Sequence, residues 1–240
     1  MLIDMHHHLI YGLDDGAQTF EETQKMLRAA HQQGVTHIIT TPHGTPGREP
    51  FRLMEYLDRI EETKAWIRQE GLDIRIYPGC EIFYTEDTVR MLNEARIPTL
   101  AGTHYVLCEF GVEAPYEYLA GAARKLGVAG YHVIFAHVER YRCLRKFRNL
   151  LELHEDYEVL MQVNARTFLE PDGFMTRHWL RKAMDRELID LAASDAHGVR
   201  SRNCRLGDCR KLMSREYGRD TADLLCEDLP RRILGKKNKI

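Results

Sequence analysis

Seven short runs rich in β-branched and apolar residues alternate along the chain with longer stretches of helical period: LIDMH, VTHIIT, DIRIYPG, HYVLCEF, HVIFAH, VLMQVN and LIDLAASDAH. That alternation is the strongest constraint on the fold. Strand–helix units in series give parallel neighbours joined by right-handed crossovers, which leaves a doubly wound open sheet or a closed, distorted barrel. With 240 residues, 44% of them hydrophobic, the chain can bury one large core. No internal repeat or low-complexity linker divides it, so residues 1–240 read as one α/β domain.

Two helices are marked residue by residue. The stretch TFEE from Thr19 to Glu22 has the form of a capping box; Met26, Leu27 and Ala30 then make an apolar stripe, and Gly34 follows the end. A second helix is expected from about Glu49 to Glu70, with Phe51, Met54, Leu57, Ile60 and Ile67 at helical spacing before Gly71.

The placement of polar residues chooses between barrel and open sheet. His6 and His8, His43, Glu81, Glu109, His137, and Asp195 with His197 all fall at the carboxyl ends of expected strands. A barrel brings those ends to one face; an open sheet spreads them along an edge. The expectation is therefore a distorted barrel of seven strand–helix units. Each residue alone reads as a solvated loop group or a satisfied core group, but eight at six strand ends are improbable by chance. Burying several carboxylates side by side is unfavourable without cations to offset them, so the set points to bound metal.

The segment MLIDMHHHLI is not the remnant of an expression tag, because its three histidines lie inside an apolar strand pattern. Strand alternation places Asp4, His6 and His8 on one face, with Ile3, Met5 and His7 on the other. His7, His31, His37, His104, His132, His154 and His178 match no strand end and read as structural or surface groups.

Composition narrows the function classes. A net charge of −2 with interspersed signs offers no basic footprint for nucleic acid, and the cationic tail GKKNKI reads as a frayed end. No apolar run reaches the length of a membrane span and no signal-type leader opens the chain, so a cytoplasmic protein with no membrane insertion is expected. Cys80, Cys108, Cys143, Cys204, Cys209 and Cys226 form no C-x-x-C pair and read as mostly buried thiols. The segment CRLGDCR, Cys204 to Arg210, matches the C-x5-R spacing of cysteine-dependent tyrosine phosphatases. It lacks a preceding strand, has one glycine, and reads instead as a helix with Leu206 and Leu212 inward.

The motifs DMHHH, GLDDGA, ITTPH, GCEIF, HYVLCEF, AHVERY, QVNA and SDAH followed by Arg202, taken as an ordered set, resemble the polymerase-and-histidinol-phosphatase (PHP) superfamily. The resemblance is greatest to its bacterial branch of metal-dependent protein-tyrosine phosphatases in capsule and exopolysaccharide synthesis, the CpsB/CapC-like family. It implies a PHP-type distorted seven-stranded β/α barrel and a three-metal site. His6, His8, Glu81 and Asp195 are implied to hold one ion; Glu81, Glu109 and His137 a second, with Glu81 bridging; and Asp15, His43 and His197 a third. Asp15 comes from the resemblance alone, since it lies in the loop after the first strand, and its neighbour Asp14 is expected to support that loop. Arg140 and Arg202 are implied to contact phosphate. The chain departs from the branch pattern at His7, at Val138 and at Gly44, and Arg166 adds a charge near the rim.

The implied ligand set carries four carboxylates against three divalent ions. The surplus is positive and suits a phosphate monoester dianion, with a metal-activated hydroxide attacking phosphorus and the arginines neutralising its outer oxygens. Asp15, His43 or a water near Asp195 could protonate the leaving oxygen. Imidazole and carboxylate donors admit manganese, iron, zinc, cobalt or magnesium; the resemblance implies manganese. The expected substrate is phosphotyrosine in a protein, such as the tail of a bacterial tyrosine kinase. Histidinol phosphate or another small phosphate ester on the same scaffold is the rival, a nuclease lacks its basic groove, and a non-catalytic interaction protein would be expected to have lost ligands. The longest loop near the site, HGTPGREP from His43 to Pro50, is too short for an enclosing lid.

Overall fold

A computed structural model of the chain describes residues 1–235; of the tail GKKNKI, expected to be frayed, Gly235 ends a helix and the rest lies outside the described residues. The strands are β1 (Ile3–His7), β2 (His37–Thr40), β3 (His43–Gly44), β4 (Arg75–Pro78), β5 (Glu81–Phe83), β6 (Tyr105–Glu109), β7 (His132–Phe135), β8 (Leu160–Asn164) and β9 (Leu191–Ala193). The helices are α1 (Phe20–Gln32), α2 (Leu53–Glu70), α3 (Thr88–Asn93), α4 (Tyr116–Val128), α5 (Phe147–Glu155), α6 (Ala165–Leu169), α7 (Gly173–Met184), α8 (Leu206–Glu216), α9 (Arg219–Asp223) and α10 (Leu229–Gly235).

Every pairing is parallel, in the orders β1-β2-β4 and β3-β5-β6-β7-β8-β9. After short breaks β3 follows β2 and β5 follows β4, so the nine strands of the described residues occupy seven positions. The first position meets the last through a parallel bridge between His7 and Ala196, where the Asp195 amide donates to the His6 carbonyl and the His8 amide to the Ala196 carbonyl, each at 2.9 Å. The result is the distorted seven-position barrel expected of a PHP-type fold. Tyr56 on α2 secures both breaks: its buried hydroxyl accepts the Gly79 amide at 3.0 Å and lies 2.8 Å from the Thr40 carbonyl. Gly79 is required there, because a Cβ would stand 2.7 Å from Ile39 Cγ2.

Two apolar clusters follow from strand alternation. Ile3, Met5, Ile39, Leu107, Ile134, Leu191 and Ala193 form the smaller, inner one. Ile38, Ile76, Val106, Val133, Phe135 and Val163 face outward into the larger cluster with Met26, Leu27, Ile60 and Leu119 of the helices.

The capping box forms with one change: Thr19 Oγ1 accepts the Glu22 amide at 3.2 Å, but Glu22 reaches back to the Gln18 amide at 2.6 Å. The helix expected from about Glu49 begins only at Leu53, leaving Phe51 outside it. Pro50 disfavours helical backbone before it, and Arg52 reaches back to the Gly12 carbonyl at 2.6 Å. The helix buries Tyr56, Ile60, Thr63 and Ile67, so Ile60 and Ile67 of the expected stripe face the core and Leu57 is half-buried, while Met54 is 72% exposed. Among the described residues no helix is long and apolar enough to cross a membrane.

Candidate metal centre

All nine expected ligands converge at the carboxyl ends of the strands. Glu81 stands at their middle, fully buried. Its Oε2 lies 3.1 Å from His6 Nε2, 3.1 Å from His8 Nε2 and 3.0 Å from His43 Nδ1, yet has no hydrogen-bond partner. Its Oε1 bonds His137 Nε2 at 2.8 Å, and His137 is 3.5 Å from Glu109. Asp195 Oδ1 is 3.4 Å from His6 and 3.6 Å from His8. On the open side Asp15 Oδ1 lies 3.2 Å from His197 Nε2 and 3.4 Å from His43 Nε2.

Among the described residues, three groups of donors at this rim are close enough to share an ion: His6, His8, Glu81 and Asp195; His8, Asp15, His43 and His197; and His43, Glu81 and Glu109. The first matches the implied set. The second adds His8 to the implied third set, and in the third group His43 stands with Glu81 and Glu109 where His137 was implied; His137 keeps its contacts with those two carboxylates. The donor chemistry fits metal. Octahedral bonds of about 2.0–2.2 Å to nitrogen and oxygen set neighbouring donors about 3 Å apart, which is the spacing around Glu81. His6 Nε2 and His8 Nε2 face each other at 3.1 Å, where at most one can donate, and His197 Nε2 is buried without a hydrogen bond.

Local backbone aims these groups. Glu109 and Asp195 follow Leu107 and Ala193 by two residues, so the inward face of a strand passes directly from core to site. His137 and Asp195 adopt left-handed backbone, with φ of 35° and 52°, as does Arg202 at 49°; such conformations in non-glycine residues persist only where surrounding contacts hold them. On β1 the register shifts between Asp4 and His7. That irregularity corrects the expected alternation: His6 and His8 turn to the centre, but Asp4 does not share their face. Asp4 accepts the Ser194 amide at 2.9 Å and groups with His7 and Cys204.

A supporting layer fixes these side chains. Asp14 accepts from His8 Nδ1 at 2.6 Å and from the His43 amide at 2.9 Å, the loop-supporting place expected of it. Gln162 Oε1 lies 3.1 Å from His6 Nδ1 and accepts the His137 amide at 2.9 Å, and Asn164 donates to Asp195 at 2.7 Å. Reading QVNA only as a motif missed these two side chains, although they end strand β8 as the ligands end theirs. Arg140 donates to Asp195 Oδ2 at 2.7 Å; Arg202 donates to Asp195 Oδ1 at 3.1 Å and to Asp15 at 3.2 Å. Arg140, Arg166, Arg200, Arg202 and Arg205 line a groove of about 530 Å³ beside Asp195.

Protonation reflects crowding of opposite charges. Burial raises the pKa of Glu81, but His6, His137 and His43 outweigh it and hold the carboxyl well below its usual range. Burial disfavours the charged form of His8, yet Asp14 and Glu81 raise its pKa to about 10. Glu109 is pushed up to about 7 by burial and by Glu81, and His197 down to about 4 by burial and His8.

The C-x5-R segment forms no phosphate loop. Cys204 is buried with its thiol pKa raised by burial, and Arg210 pairs with Asp223 at 2.5 Å on the side of α8. Leu206 is buried and Leu212 partly so.

The family model described as "Capsular polysaccharide synthesis, CpsB/CapC" matches residues 2–235. The tyrosine-protein phosphatase CpsB of Streptococcus pneumoniae is 27% identical over 238 residues, covering 97% of this chain and 98% of that protein. A structure from a study of YwqE from Bacillus subtilis and CpsB from Streptococcus pneumoniae, described as unique metal-dependent tyrosine phosphatases, superposes with a TM-score of 0.87 at 26% identity, covering 100% of this chain and 96% of the other. Histidinol phosphate phosphatase of Lactococcus lactis shares the fold, with a TM-score of 0.62 at 16% identity over 92% of this chain and 93% of that one.

Proposed function

This chain belongs to the CpsB/CapC family of capsular polysaccharide synthesis, and on that premise we propose that it is a metal-dependent phosphomonoesterase acting on phosphotyrosine in proteins. The observation that carries the reading is Glu81 Oε2, ringed by three imidazole nitrogens at 3.0–3.1 Å without a hydrogen bond, an arrangement suited to shared cations.

We assign His6, His8, Glu81 and Asp195 to one ion, Glu81, Glu109 and His137 to a second, and Asp15, His43 and His197 to a third. Manganese suits this oxygen and nitrogen set, which contains no thiolate. Bound divalent ions supply Lewis-acid polarisation of phosphoryl oxygens and an acidified water. The chain's own residues do the rest. Asp195 orients Arg140 and Arg202, whose planar forks are shaped to grip phosphate oxygens. Asp14 and Gln162 fix the ring planes of His8 and His6, so little reorganisation is required when charge shifts. Asp15 is 60% exposed and His43 34%; both stand at the open rim, where a proton can pass to the leaving oxygen. A phenolate needs that proton less than an alkoxide does.

The five-arginine groove beside Asp195 favours an anionic peptide segment, and a bacterial tyrosine kinase tail fits that chemistry. Six free cysteines, five of them buried, agree with a reducing cytoplasm. A panel of phosphotyrosine peptides, phosphoserine peptides, histidinol phosphate and single-stranded DNA on manganese-loaded protein tests the assignment. Phosphotyrosine peptides are expected to give the highest kcat/KM. Histidinol phosphate exceeding them by about tenfold, about 1.4 kcal/mol of transition-state preference, would overturn it.

A further inference from the structure

Behind β1, on the side away from the strand-end centre, three potential metal donors meet in the core. Asp4, His7 and Cys204 are 0%, 0% and 4% exposed, and one donor atom from each lies within 4.8 Å of the others. Asp4 spends Oδ1 on the Ser194 amide at 2.9 Å and turns Oδ2 to Cys204 Sγ at 3.8 Å. The Ser194 hydroxyl lies beside both groups. His7 is the anomaly: neither Nδ1 nor Nε2 has a hydrogen-bond partner although the ring is wholly buried. A buried imidazole without partners is unfavourable, and an ion held at this cluster would satisfy it.

We propose that Asp4, His7 and Cys204 form a second, separate metal site that takes a thiophilic divalent ion of the zinc class. Tetrahedral bonds of about 2.3 Å to sulfur and about 2.0 Å to nitrogen and oxygen set donors about 3.3–3.6 Å apart; the Asp4–Cys204 pair at 3.8 Å is near that separation, and a His7 nitrogen lies within 4.8 Å of both. On binding, the thiol gives up its proton to solvent, so one carboxylate, one thiolate and a dication sum to zero charge, which an apolar core tolerates. The Ser194 hydroxyl, which accepts the Ala196 amide at 3.1 Å and lies beside Asp4 and Cys204, or a water would supply a neutral fourth donor.

The register shift on β1 serves both sites at once, sending His6 and His8 to one and His7 to the other. Their donors differ in kind. The thiolate selects zinc or cobalt over manganese and magnesium, whereas the strand-end set has none. The inference does not depend on the phosphatase reading, because the two donor sets share no residue.

Cobalt loading of the full chain tests it, since only a thiolate ligand gives the near-ultraviolet sulfur-to-cobalt charge-transfer absorption. The band is expected in the wild type, with an amplitude at saturation corresponding to one thiolate-bound cobalt per chain. It should be displaced by stoichiometric zinc but not by equal manganese, and lost in Cys204→Ser while the visible ligand-field bands of the thiolate-free centre remain. His7→Gln should weaken cobalt binding at this band by at least about tenfold. No band in saturated wild type, or a band that survives Cys204→Ser, overturns the proposal. Should both variants fail to fold, X-ray absorption of zinc-loaded wild type decides: a Zn–S shell at about 2.3 Å is expected, and a purely nitrogen and oxygen environment contradicts it.

Discussion

The inner wall of the barrel and its carboxyl rim occupy the same strands, yet they obey opposite rules. Leu107 and Ala193 lie in the inner apolar cluster; two residues later stand Glu109, about 7 Å further along β6, and Asp195, just past the end of β9. The wall stabilises the fold by removing apolar surface from water. The rim gathers four carboxylates and five histidines whose charges must be balanced, and balance comes from imidazole protonation or from bound cations. The difference teaches that stability and chemistry are separable along a strand, within a single alternation of side chains.

The sharpest way to break that comparison is Glu81→Ala, which should remove metal and lower phosphotyrosine turnover by at least about 10³-fold, on the order of 4 kcal/mol in the barrier, while the fold survives. Metal analysis and kinetics on the same preparation check it; retained metal with retained turnover would break the separation. Leu107→Ala is the converse. It should destabilise the fold by about 2–4 kcal/mol in denaturant unfolding and leave metal content per folded chain unchanged. Arg140→Ala and Arg202→Ala should each reduce kcat/KM by about 10–100-fold with metal content intact, since neither side chain is a donor to the ions.

The smallest effect concerns pH in chelated protein. His8 has its pKa raised from 6.5 to about 10, so its contribution to stability is fully present below pH 6.5 and is lost as pH rises through 10. Thermal unfolding of the chelated wild type should weaken across that window, and His8→Gln should flatten the slope. His197, lowered from 6.5 to about 4, acts in the other window: its contribution is present above 6.5 and is lost as pH falls through 4.

Much of this organisation is legible in the sequence because it repeats. Seven apolar runs mark seven strand positions, and polar residues at their carboxyl ends mark the rim. Legibility fails where a contact distant in sequence overrides local pattern. Asp4 shares sequence parity with His6 and His8 but faces Ser194 and Cys204, because pairing with β2 and the meeting with Ala196 shift the register of β1. His137 is aimed by left-handed backbone, which no spacing announces. The breaks that create β3 and β5 depend on Tyr56, a residue of another element. Asp15 sits in a loop, where strand periodicity carries no information, and only resemblance to a family pointed to it. Gln162 and Asn164 were within reach of the strand-end rule that found Glu81 and Glu109.

Hydrolysis of a phosphotyrosine peptide by the purified chain, followed before chelation, in excess chelator and after restoring manganese, tests the central claim most directly. The account predicts turnover that falls to background with the chelator and returns with manganese in step with metal bound per chain. Full turnover in excess chelator would contradict it.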